Sequence, residues 1–163
     1  MNIKEIIGVK EDYELPTKLM DIITDEKRRE ELFDKWLEEN SDIEHDTLSD
    51  YFQGNQVDRK VLMQDFTPQS IIDIIAGVVT NVDHVIDICA GTGGLTIGVW
   101  KNNKDAIFEC EELATSTIPF LLFNLAIRNI QGEVRQKDVL NNKVECCWKL
   151  SKGQKYSKIE VIK

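Results

Sequence analysis

Apolar positions in the first sixty residues recur three and four apart. Leu19, Ile22 and Ile23 follow Pro16, and Leu32, Phe33, Trp36 and Leu37 form a second stripe, the spacing of amphipathic helices packed on one another. Pro16 falls where a first helical turn accepts proline. Thr24 is placed to cap the second helix, whose first turn carries Asp25 and Glu26 on the side the helix dipole favours. Tyr51-Phe52 closes a third helix before Gly54, so residues 1–60 read as helical throughout. Thr67-Pro68 gives a clear helix start, a capping hydroxyl followed by proline. The helix it opens carries Ile71, Ile72, Ile74, Ile75, Val78 and Val79, an almost all-round apolar surface that predicts deep packing. The period then changes. Val85, Ile86 and Ile88 form a short β-branched run broken only by Asp87, as in a strand buried on both faces. Gly91, Gly93 and Gly94 follow, and Leu95, Ile97 and Val99-Trp100 read as a helix. Ala106–Cys110 reads as a second strand. A long helix over 112–129 follows, with Pro119 marking a kink or its true start. Glu133–Gln136 gives a third strand, ending at Asp138. Cys146–Leu150 is a candidate strand before the turn at Ser151–Gln154, and Ile159, Val161 and Ile162 supply a fourth.

Strand, glycine turn and helix in succession open a nucleotide-binding βαβ unit: without Cβ atoms the backbone turns sharply and can touch a ligand. The helix beyond offers unpaired N–H groups. The glycine spacing is neither that of a dinucleotide fingerprint nor that of a P-loop, which would end in Gly-Lys-Ser/Thr. An acidic residue about 20 positions after such a turn, at the end of the second strand, is placed to accept from ribose hydroxyls. Glu109, Glu111 and Glu112 all answer to that description.

The run Asp87-x-Cys89-Ala90-Gly91-Thr92-Gly93-Gly94 closely resembles the S-adenosylmethionine (SAM) loop of adenine-N6 DNA methyltransferases, above all the modification subunits of type I restriction systems. Asp65-Phe66-Thr67-Pro68 resembles the Phe-Thr-Pro motif that precedes that loop, in the same order and spacing, and Asn124–Asn129 resembles the family again. The resemblance covers roughly residues 64–163. It implies an α/β, Rossmann-like SAM-dependent methyltransferase fold with a partial parallel sheet, occupying residues 63–163 behind a helical N-terminal region at 1–62. It implies SAM as cofactor, held by Phe66, Thr67, Pro68, Asp87, Cys89, Ala90, Gly91, Thr92, Gly93, Gly94, Glu111 and Asp138. In that assignment Phe66, Thr67 and Pro68 meet the methionine end, with Gly91, Thr92 and Gly93 lining the same moiety. Asp87 orients its ammonium directly or through water, and Phe-x-x-Glu selects Glu111 for the ribose, with Glu109 and Glu112 as alternatives. Asp138 accepts from the adenine amino group. The family's strand order puts the first strand in the centre, the third at one edge and the fourth on the opposite side of the first.

Charge and composition narrow the function. The chain carries 20 Lys and Arg against 29 Asp and Glu, a net −9, and most of the excess lies in residues 1–60. An acidic chain repels phosphate, so DNA is expected to be held weakly or through a partner. The one basic stretch is the tail from Lys149 to Lys163. Four cysteines without Cys-x-x-Cys spacing, beside two histidines, argue against a metal site. No apolar run approaches the ~20 residues of a membrane span, and the N-terminus does not read as a signal peptide, so a cytoplasmic location is expected. The family's catalytic Asn-Pro-Pro-Tyr/Phe motif does not occur before Lys163: the three prolines are 16, 68 and 119. That motif holds the flipped adenine, so no catalytic residue is assigned. The reading is a SAM-dependent DNA adenine-N6 methyltransferase-type protein of restriction–modification or phage origin. It needs a methylase or specificity subunit, or a second copy covering an open sheet edge, for catalysis and DNA recognition. The rival reading is a non-catalytic SAM-binding or interaction protein, a decoy or regulator of a modification enzyme.

Overall fold

The computed structural model describes residues 3–49 and 66–162. Helix α1 (Ile3–Ile7), a 3-10 turn (Asp12–Glu14), α2 (Leu15–Ile23) and α3 (Glu26–Glu39) open the chain. After α4 (Gln69–Val78), strands and helices alternate: β1 (His84–Ile88), α5 (Gly94–Asn102), β2 (Ile107–Glu112), α6 (Ile118–Ile127) and β3 (Gln131–Asp138). Strands β4 (Lys143–Ser151) and β5 (Lys158–Val161) follow. The result is a mixed α/β architecture around one five-stranded sheet, consistent with a Rossmann-like methyltransferase fold.

The strands lie in sequence order, β1-β2-β3-β4-β5. The first three are parallel, because each connection carries a helix long enough to return the chain to the starting edge. The last two are antiparallel. Here the expected strand order is corrected: β1 is an edge strand among the described residues, and the strand at Lys158–Val161 lies beyond β4 rather than beside β1. The reason is local. Only four residues join β3 to β4, and Asn142 at φ +50° with the Asn141 amide on the Asp138 carboxylate makes them a tight turn. So short a connection admits only an antiparallel neighbour.

Helix α6 is buried on every side, as its uninterrupted Ile-Pro-Phe-Leu-Leu-Phe start demands. Pro119 sits in its first turn and marks its start. On one side α6 meets the sheet face built from Phe108, Cys110, Val134, Trp148 and Leu150. On the other it meets the N-terminal helices through Leu15, Leu19, Ile23, Phe33 and Trp36, and all of these join one core. The Phe123 ring stands edge-on to Phe33 and Trp36 at centroid distances of 5.0 and 5.6 Å. The second sheet face stays open, with Ile86, Ile88 and Ile107 exposed on it beside a polar cluster. Across it Arg135 bridges Glu109 and Glu133, and His84 reaches Glu109 at 2.9 Å.

Several local expectations change. Residues 40–46 are not helical, so the N-terminal region is not helical throughout. The cap of α3 is Asp25, which accepts from the Arg28 amide at 2.9 Å, while the Thr24 hydroxyl donates back to the Met20 carbonyl. Pro68 is the N-cap of α4 and no side chain caps it, so Thr67 is not a capping residue. Nor is α4 deeply packed: only Ile72 and Ala76 are buried, while Ile74 and Val78 are exposed. The predicted third helix at Tyr51-Phe52 lies outside the described residues, as does Asp65.

Candidate functional site

Strands β1 and β2 end level with each other, Ile88 opposite Glu111. Past that point the amides of Cys89 and Ala90 both donate to the Glu111 carbonyl, at 2.8 and 2.9 Å. This double anchor forces Cys89 to φ +74°, a left-handed conformation rare outside glycine. The chain then swings through Gly91 (φ +58°) and Gly93 (φ +96°) into α5. A Cβ on Gly93 would stand 3.0 Å from Leu121 Cδ1, so the turn sits directly on α6. Gly91 faces the other way, towards Phe66.

A cleft of about 1070 Å³ opens over this turn, within the size range of sites that enclose a cofactor-sized ligand. Its floor is the turn and the start of α5. The ends of β2 and β3 form one wall, and Phe66–Gln69 with residues of the 45–49 segment form the other. Of the residues singled out in the sequence, Phe66, Thr67, Pro68, Asp87, Cys89, Ala90, Gly91, Gly94, Glu111 and Asp138 all border the cleft. Thr92 and Gly93 do not. Gly93 is turned to the core. Thr92 is fully buried and gives its hydroxyl to Asp46 at 2.5 Å.

The acidic residues divide by their place along β2: Glu109 and Glu111 share one sheet face, Glu111 nearer the strand end, and Glu112 points to the other. Glu109 lies on the open sheet face with His84 and Arg135, away from the cleft. Glu111 borders the cleft with one oxygen 2.8 Å from Lys137 Nζ. Glu112 also borders it, accepting the Gly91 amide at 2.9 Å and the Ala114 amide at 2.8 Å, and so ties the turn to β2. Asp138 accepts from the Asn141 amide and side chain, which hold its carboxyl below the ordinary range.

Asp87 differs from all of these. Burial pushes its carboxyl above the ordinary carboxylate range, against the opposing pull of the Thr96 hydroxyl 2.5 Å away. Among the described residues no Lys, Arg or His pairs with it. Asp87 is thus a half-buried carboxylate bordering the cleft, with only the Thr96 hydroxyl as its hydrogen-bond partner among those residues. Burial and the carboxylates of Glu112, Asp87 and Glu111 raise the Cys89 thiol, so it is no thiolate nucleophile. Among the described residues no group of side chains could hold a metal ion, and no helix is long and apolar enough to cross a membrane.

Sequence reasoning missed the residues that hold the turn from behind. Asn124 and Arg128 are buried on α6, and Arg128, pulled down to about 10 by burial, donates to the Asn124, Ile43 and His45 carbonyls. Their signal was present: two polar residues four apart in an otherwise apolar helix predict an internal polar contact. Asp46 had no such signal, because it lies in an acidic stretch that reads as solvated surface. The basic tail is also less available than its composition suggests, since Lys152 and Lys155 pair with Asp105 and Asp34.

A family model described as N-6 DNA Methylase matches residues 47–158. A search of curated proteins and a search of solved structures found no match.

Proposed function

The chain belongs to the N-6 DNA methylase family, and from that membership we propose that its cleft binds SAM for DNA adenine methylation carried out with a partner. The observation that carries the reading is Asp87, a half-buried carboxylate bordering the cleft with no cation of its own among the described residues. The methionine end of SAM supplies an ammonium, and its carboxylate suits the amide-rich start of α5. Phe66, Thr67 and Pro68 close over that end, Gly91 lets the backbone approach, Glu111 accepts from the ribose with Lys137 holding it, and Asp138 accepts from the adenine amino group. SAM brings an electrophilic methyl group to the site; the chain's own part is to bind, orient and shelter it.

Catalysis and DNA reading fall to another polypeptide, a methylase or specificity subunit, in a restriction–modification system or phage, acting in the cytoplasm. The support is the −9 charge, which opposes binding a polyanion alone. The edge of β1 is where such a partner docks, for it is unpaired among the described residues and exposes Ile86 and Ile88. Isothermal calorimetry with SAM and S-adenosylhomocysteine tests the proposal: one site per chain is expected, and no heat with either ligand sinks it.

A further inference from the structure

We infer that Asp46 is a positioning residue of the cofactor site: it locks the glycine turn in its ligand-ready shape by joining it to α6. The inference rests on the SAM reading and adds a part that neither the glycine motif nor the Phe-Thr-Pro motif contains. Asp46 lies in the non-helical segment after α3, half-buried at the cleft wall, and donors surround its carboxylate. Thr92 Oγ1 lies at 2.5 Å, Asn124 Nδ2 at 2.9 Å, and the amides of Leu48 and Ser49 at 3.0 and 3.1 Å. Asn124 uses the other hydrogen of the same amide nitrogen to hold the Thr92 carbonyl at 2.8 Å. Arg128 completes the lock, donating to the Asn124 side chain at 3.0 Å and to the carbonyls of Ile43 and His45 at 2.6 and 2.7 Å. Thr92 is therefore gripped by both its hydroxyl and its carbonyl, and both grips lead to Asp46 or its partner Asn124.

The grip is needed where it falls. Thr92 stands between two glycines in the left-handed region, and glycine gives the unligated chain more conformations to lose than any other residue. Without an anchor, ordering that turn would be charged against ligand binding; with one, it is already ordered. Burial of a carboxylate carries a penalty that a purely structural contact could avoid with an apolar pair. Asp46 also borders the cleft itself, so the same side chain orders the turn and shapes the wall opposite the strands.

The test is a double-mutant cycle on S-adenosylhomocysteine affinity, using Thr92→Val, Asp46→Asn and the pair, with Thr92→Ser as the conservative control and a thermal melt on each. About tenfold weaker binding is expected for Thr92→Val and for Asp46→Asn, the double variant falling little further, as for residues acting through one contact. Thr92→Ser, which keeps the hydroxyl, should recover binding close to the wild type. A folded Thr92→Val that binds like the wild type while melting lower would make the contact structural only and overturn the inference. Should the variants not fold, hydrogen exchange on the wild-type chain decides. Saturating ligand must slow exchange of the Leu48 and Ser49 amides, because coupling between turn and segment is reciprocal, and no protection overturns the inference. No ligand binding by the wild type defeats the SAM reading and this inference together, whereas a failure confined to the variants defeats the inference alone.

Discussion

Asp87 costs the empty protein stability and gains its value with ligand. Its carboxyl titrates higher in the folded chain than in the unfolded one, so the native state takes up its proton first. Stability from this group therefore grows as pH falls through the raised value, and the ionised form is a burden at neutral pH. Replacing it with Asn is expected to hold or raise the melting temperature. The same change should weaken SAM binding by about tenfold or more, since a contact to a charged partner is worth ~1.5–3 kcal/mol. In the wild type, SAM affinity should fall as pH drops through the Asp87 titration. A variant that loses stability and affinity together would contradict this. Asp87 was legible in the sequence because one charge in a β-branched run demands an explanation. Asp46 was not, because nothing in a local run of Asp, Glu and His distinguishes the one carboxylate that the fold carries inward.

At the scale of elements, the glycine turn has two faces with different jobs. Gly93 packs on Leu121 and Gly91 faces the cleft. Gly93→Val combines a left-handed backbone with a collision in the core, so a loss of roughly 2–4 kcal/mol in stability is expected. It therefore cannot serve as a binding probe in an intact fold. Gly91→Ala meets only Phe66 Cε1, at 3.7 Å, and should cost about 1 kcal/mol of backbone strain while its methyl group obstructs the ligand. Denaturant melts and calorimetry on the two variants should separate stability from affinity; equal stability losses would show the faces to be equivalent. Periodicity located α2, α3, α4, α5 and the first three strands to within a few residues, though it carried helix into 40–46 and started α6 six residues early. It failed on α4, whose isoleucines read as core although those at 71 and 74 face outward, since sequence cannot say whether a neighbour is present to cover an apolar face. It failed on strand order for a related reason. The decisive fact was a four-residue turn at 139–142, which composition did not separate from a longer loop.

At the scale of the molecule, a chain of the N-6 DNA methylase family has β1 at the edge of its described sheet and most of its net negative charge in residues 1–60. The purified chain given SAM and plasmid DNA is expected to transfer no methyl groups, because positioning of an extruded base supplies most of the acceleration and nothing in the sequence is suited to hold that base. Tritium transfer from labelled SAM, measured with the chain alone and with its cognate extract, checks this. Robust methylation by the pure chain would show that catalytic parts had gone unrecognised.

The sequential strand order also bears on how the protein is made. Every strand after β1 pairs with the one synthesised just before it, so the sheet can lengthen one strand at a time as the chain leaves the ribosome, with little loop entropy to overcome. The N-terminal helices have no such convenience. Leu15, Leu19, Ile23, Phe33 and Trp36 share a core with α6, and α6 emerges only some eighty residues after α3. Throughout that delay these helices lack the partner their apolar face is shaped for, and their aromatic stripe is where a nascent-chain chaperone would be needed.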